Sequence, residues 1–156
     1  MKSKDPAGTE PDAAAALQWL IADQIGEAYS IIVARADQEL ASEPVTTAEF
    51  VALVTLREAP NGVTQTAWAR MQGVQRQRAH ALALKLTAAR LVEVRRHGRS
   101  STVTLTDAGE QLISRLQPKL SAAYAPDFRD LRNADAKQLS ALLTKFINSA
   151  ADSTQD

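Results

Sequence analysis

The chain has 156 residues, of which 45% are hydrophobic and only 4% aromatic, so one compact domain, or a small one with added helices, must build its core mainly from alanine and leucine. No apolar run is long enough to span a membrane. The polar opening segment is not expected to be a secretory signal, and with no cysteine disulfides, thiolate metal sites and thiol redox switches are excluded. A cytoplasmic protein without membrane attachment is expected. The formal net charge is zero, but it is unevenly spread. Residues 1–60 carry four Lys/Arg against ten Asp/Glu, whereas residues 61–105 carry eight (Arg70, Arg76, Arg78, Lys85, Arg90, Arg95, Arg96, Arg99) against Glu93 alone. The remainder carries six against seven. A local excess of this kind is what a phosphate backbone responds to; the alternative is a solvated face.

In chain order, residues 1–11 read as a disordered tail. From Asp12 to about Ser42 apolar residues recur at helical spacing: Leu17, Leu20, Ile21, Ile25, Ala28, Ile31, Ile32 and Leu40. This predicts a helix of about thirty residues, on the order of 45 Å at 1.5 Å per residue. Such a helix outreaches a small core and is expected to meet a second copy of the chain; the alternative is a helix wrapped over its own domain. Glu43-Pro44-Val45 breaks it. Thr46 to Glu49 reads as a capping box, opening a helix whose buried face is Phe50, Leu53, Val54 and Leu56 and which ends at Pro60-Asn61-Gly62.

Val63 to Met71 reads as a short helix capped by Thr64, Gln72-Gly73-Val74 as a tight turn, and Gln75 to Ala89 as a second helix with Ala79, Leu82, Ala83 and Leu86 on its core face. Short helix, glycine turn and longer helix make a helix-turn-helix. Leu91 to Arg95 and Thr102 to Leu105 alternate as strands, joined by a basic loop, Arg96 to Ser101, which predicts a wing. Thr106 then caps a helix reaching about Leu116 or beyond, with Pro118 in or near its end. A final helix from about Ala134 to Ala150 is expected to bury Leu139, Leu142, Leu143, Phe146 and Ile147. The expected class is mainly α (α+β): a winged helix-turn-helix domain over 46–116, a helical dimerisation region over 12–45 and 117–150, and a tail over 151–156.

From about residue 12 to 150 the segments VTTAEFVALVTLRE, VTQTAWARMQGVQRQRAHALALKL and LVEVRRHGRSSTVTLTDAGEQL resemble the MarR family of bacterial transcription factors. The most specific part is Leu105-Thr106-Asp107-Ala108-Gly109, similar to the family's LT-x-x-G after a basic hairpin. The resemblance implies a homodimer with interlocked terminal helices, repression of a nearby promoter, and release from DNA by a small aromatic or phenolic effector. Three positions depart from the family pattern. Arg90 stands where glycine is frequent, Gln75 where a serine commonly opens the recognition helix, and His97 where an aspartate usually partners the arginine, here Arg99.

The recognition helix is expected to enter the major groove, where each base pair presents its own donor and acceptor pattern. Opposite its core face lie Gln77, Ala81 and Leu84, flanked by Arg78, His80 and Lys85. Gln77 suits adenine and Arg78 suits guanine, each in a bidentate contact, while Arg76 is better placed for phosphate and Gln75 opens the helix. Thr64 and Gln65, starting the preceding helix, are candidates to donate to phosphate. On the wing, Arg96, His97, Arg99 and Ser100 are candidates, Arg99 at the tip foremost, whereas Arg95 shares a strand face with Glu93 and is expected to pair with it. For each side chain, solvation or phosphate contact competes with base reading. Trp19, Tyr29, Trp68 and Tyr124 are considered as effector-lining residues beside plain core or surface roles. No catalytic constellation is visible, the two histidines have no metal-ligand spacing, and no cofactor is expected. The alternative function is a winged-helix protein-interaction module without DNA specificity of its own.

Overall fold

A computed structural model describes residues 13–153; the expected tail over 1–11 and the Asp12 start of the first helix lie outside them. Helix α1 spans Ala13–Leu40 and α2 spans Thr47–Arg57. A two-residue strand, β1 (Val63–Thr64), leads into α3 (Gln65–Met71) and α4 (Arg76–Ala88). Strands β2 (Val92–His97) and β3 (Ser100–Leu105) form the hairpin, followed by α5 (Asp107–Tyr124), a 3₁₀ turn (Ala125–Phe128) and α6 (Asn133–Ser153). The mainly α winged-helix architecture expected from the sequence is the one observed.

Local chemistry fixes the element ends. The Thr46 hydroxyl accepts from the Glu49 N–H at 3.3 Å, and the Thr46 N–H donates to Glu49 Oε2 at 2.8 Å, a reciprocal box. Thr64 and Thr106 cap α3 and α5 by accepting from the N–H groups of Ala67 and Gly109. Helices α3 and α4 end in the same device. Past α3, Gly73 takes φ +62°, its N–H donating to Arg70 and that of Val74 to Ala69; past α4, Arg90 takes φ +61°, its N–H donating to Thr87 and that of Leu91 to Leu86. Both are Schellman closures, which need a left-handed residue after the cap. Only the first places glycine there.

The sheet runs β1-β3-β2, all antiparallel, with Val63 opposite Val103 and Val94 opposite Val103 on its other side. Val92 and Val103 turn into a core that includes Trp68, Leu53, Leu56, Leu86, Ile113 and Leu116. Strand β1 replaces the start of the helix expected from Val63: the Thr64 cap closes the helix at Gln65, leaving Val63-Thr64 extended and free to pair with β3. The hairpin is tighter than the six-residue loop expected. His97 pairs with Ser100, and Gly98 at φ +60° followed by Arg99 fits a type II′ turn, whose twist matches that of the strands.

Pro118 lies inside α5, six residues before its end. It is exposed, so the Ser114 carbonyl that it leaves unpaired is on the solvent side and the helix continues. The final helix runs to Ser153, into the stretch expected as a tail. Its apolar residues correct a second expectation: Leu139, Leu142, Leu143, Phe146 and Ile147 are all exposed within one copy of the chain. Only Ala36 and Leu40 of α1 are buried, so Leu17, Leu20, Ile21, Ile31 and Ile32 are exposed as well.

Candidate nucleic-acid interface

Helix α4 packs its Ala79, Ala83 and Leu86 face into the core, which turns the opposite side outward. Gln75, Arg76, Gln77, Arg78 and His80 are all exposed, as are Arg96, His97, Arg99 and Ser100 on the wing. Between α4 and the wing lies an open cleft of about 640 Å³. Gln65, Arg76, Gln77 and His80 line it from the helical side, and Arg96, Arg99 and Ser100 from the wing. Thr64, Gln75, Arg78 and His97 stand outside it. The helical spacing of Gln77, His80, Leu84 and Thr87 puts one stripe of α4 along the cleft. Leu84 is 61% exposed there. Sequence reasoning did not anticipate Thr87, Val94 and Ser101 as walls, because a cleft between two elements has no signature in either element alone.

The arginines divide clearly, while Lys137 and Lys145 of α6 also form no ion pair among the described residues. Lys85, expected to flank the reading face, turns instead toward α2 and forms an ion pair with the buried carboxylate of Glu49. Arg95 pairs with Glu93 at 3.0 Å, as its strand position predicted. Among the described residues, Arg70, Arg76, Arg78, Arg90, Arg96 and Arg99 make no ion pair within the chain, whereas Arg35, Arg57, Arg115, Lys119, Arg129 and Arg132 all have acidic partners. No carboxylate lines the cleft. The segment from α3 to the wing therefore projects positive charge that no carboxylate of the described residues neutralises.

Individual side chains are already engaged. Gln65 is half-buried, its Oε1 lying 3.2 Å from His80 Nδ1, and the Thr64 hydroxyl is occupied by its cap. Gln75 starts α4 with no side-chain cap bond, the weaker start that its departure from serine implies. Ser100 Oγ donates to the His97 carbonyl at 3.1 Å.

Among solved structures, Sco3205, a MarR family transcriptional regulator from Streptomyces coelicolor in complex with DNA, matches with a TM-score of 0.72 over 91% of this chain and 92% of that one, at 20% identity. The chain has the MarR winged-helix fold. CouR from Rhodococcus jostii, solved with p-coumaroyl-CoA, shares the MarR arrangement at TM-score 0.73 and 18% identity, covering 81% of this chain and 90% of that one. So does BpsR of Bordetella bronchiseptica, whose DNA binding is regulated by 6-hydroxynicotinic acid, at TM-score 0.72 and 23% identity over 81% and 98%. No family model matches the sequence, and no curated protein matches it. The MarR likeness thus stands on backbone geometry.

Of the four aromatic residues considered for an effector, Trp68 is core: it is fully buried, and its Nε1 donates to the Ala52 carbonyl and to Thr55 Oγ1, both at 3.1 Å. Trp19 and Tyr29 are exposed on α1. Tyr124 lines a cavity of about 310 Å³ between α1, α2 and α5, with Phe50, Val54, Thr55 and Gln117 among its walls. Burial pushes the Tyr124 phenol up from its ordinary value. Among the described residues no helix is long and apolar enough to cross a membrane, and no cluster of His, Asp and Glu is arranged to hold a metal.

Proposed function

We propose that the chain is a sequence-specific DNA-binding transcriptional regulator, a homodimer whose two α4–wing units engage the half-sites of an imperfectly palindromic operator. The observation that carries this reading is the set of six arginines with no acidic partner among the described residues, all between α3 and the start of β3, three of which (Arg76, Arg96 and Arg99) line a cleft whose walls hold no carboxylate. Helix α4 reads bases from the major groove through Gln77 and Arg78, and Arg76 grips phosphate. Arg99, at the hairpin tip, reaches the minor groove or backbone. The exposed apolar stripes of α1 and α6 supply the dimer contact. Occupation of the operator blocks a nearby promoter. A small aromatic or phenolic effector in the cavity beside Tyr124 releases the DNA, a reading supported by two structures of similar fold, CouR bound to p-coumaroyl-CoA and BpsR, whose DNA binding 6-hydroxynicotinic acid regulates. The protein acts in the cytoplasm and has no catalytic role.

Selection of bound duplexes from the source genome tests the reading. Paired, inverted half-sites about one helical turn apart, roughly 34 Å, are expected. Salt-insensitive association and no enrichment of any duplex would instead favour a protein-interaction module. On a selected duplex, Arg99→Ala should weaken binding to specific and random DNA alike and reduce the salt slope by about 0.9 for each phosphate that the variant no longer neutralises. Gln77→Ala should relax preference at one base pair per half-site; equal losses on both duplexes would refute a base-reading role.

A further inference from the structure

His80 projects from α4 into the cleft one turn after Arg76 and Gln77, and its Nδ1 lies 3.2 Å from Oε1 of Gln65 on the neighbouring helix. An amide oxygen only accepts, so the ring donates through Nδ1–H, and Nε2 is the nitrogen that gains the second proton. The charged groups that line the cleft with this ring share one sign. Its own helix contributes Arg76 and the wing contributes Arg96 and Arg99, while α3 contributes the neutral Gln65. The acids of the adjoining elements are engaged elsewhere, Glu49 of α2 by Lys85 and Glu93 of β2 by Arg95. His80 thus shares the cleft with three arginines, and no described carboxylate lines it. A duplex entering the cleft reverses that balance, because its phosphates favour the imidazolium.

The geometry points to Gln65 as a positioning residue that fixes the His80 ring, and to His80 as the group through which the cleft takes up a proton from solvent when DNA enters. This inference rests on the DNA-binding reading and adds a regulation to it: duplex affinity follows pH. It also reassigns Gln65, whose oxygen holds the ring and whose contribution to DNA passes through His80. His97, the other histidine, lies on the wing outside the cleft.

The test measures affinity for a mixed-sequence duplex, long enough for two half-sites, against pH at constant ionic strength. Wild-type affinity should rise roughly three- to tenfold from about pH 8 to about pH 6. His80→Gln should flatten this profile, and His97→Gln should keep it. Gln65→Glu places a carboxylate on Nδ1, which favours the imidazolium already in the free protein, so the rise should move to higher pH. An NMR titration of the wild-type His80 ring should show its midpoint moving up when duplex is added. A His80→Gln profile as steep as wild type, loss of the slope in His97→Gln, or an unmoved His80 midpoint overturns the proton uptake. An unshifted Gln65→Glu profile overturns the positioning role. Absence of wild-type binding at every pH overturns the DNA-binding reading itself, and this inference with it.

Discussion

Arg90 is the sole non-glycine among the described residues with positive φ, and its side chain is exposed and free of ion pairs. The left-handed conformation costs a residue with a Cβ about 1 kcal/mol relative to glycine. Arg90→Gly should therefore raise stability by about that amount, a few degrees in melting temperature at fixed protein concentration. No gain in thermal unfolding would mean that the closure after α4 is not strained. Glu49 makes the opposite kind of contribution. Burial alone would push its carboxyl up, but Lys85 and the backbone and hydroxyl of Thr46 outweigh that and hold it below the ordinary range. A depressed carboxylate adds stability that is present above its ordinary value and is lost as pH falls through the depressed one. Denaturant unfolding should show wild type losing stability in that acid window and Glu49→Gln losing less. The Thr46–Glu49 box was legible because it is local in sequence. The Lys85 partnership was not, since nothing within α4 says that its lysine faces α2.

At the level of elements, the start of α5 is locked to the turn that ends α4 by hydrogen bonds through one residue. The Thr106 hydroxyl donates to the Arg90 carbonyl at 2.8 Å while accepting from the Gly109 N–H, and the Thr106 N–H donates to the Leu91 carbonyl at 3.1 Å. Gly109 is packed against that carbonyl. A Cβ there would lie 2.3 Å from the Leu91 oxygen and 2.7 Å from Leu105 Cδ1. This gives the Leu-Thr-x-x-Gly signature a physical cause: threonine caps and ties, and glycine lets helix α5 approach the turn that ends α4. Gly109→Ala should cost about 2 kcal/mol or more by overpacking, since backbone must move. Wild-type stability in this variant would show that the turn yields freely. The helices and the hairpin were readable from periodicity and caps. Strand β1 was not, because two residues carry no period, and the tight turn at Gly98-Arg99 was concealed by polar residues that suit a strand edge as well as a loop.

For the whole molecule, the apolar residues that one copy leaves in water are concentrated on α1 and α6. On α6 they recur at 139, 142, 143, 146 and 147, a single stripe, and no other element packs extensively against that helix. Patches of this extent are seldom left in solvent, and the proposed dimer would cover them. Leu142→Glu leaves the fold of a single copy untouched, since Leu142 is 57% exposed. It should nonetheless yield monomers in sedimentation and lower duplex affinity toward that of one half-site; a fully dimeric variant would remove α6 from the interface. From sequence, the length of α1 hinted at a second copy, but the amount of surface awaiting cover needed the structure.

The separation of charge has a kinetic consequence. Arginines with no acidic partner among the described residues cluster from α3 to the wing, while Asp23, Glu27, Asp37 and Glu39 lie on α1, which packs mainly on α2 and α5. A molecule of zero net charge built this way is an electric dipole, so a polyanion exerts a torque on it more than a pull. It should swing its wing toward a duplex during approach while gaining little from loose, misoriented encounters. Extra salt would then slow productive capture chiefly by weakening the turning.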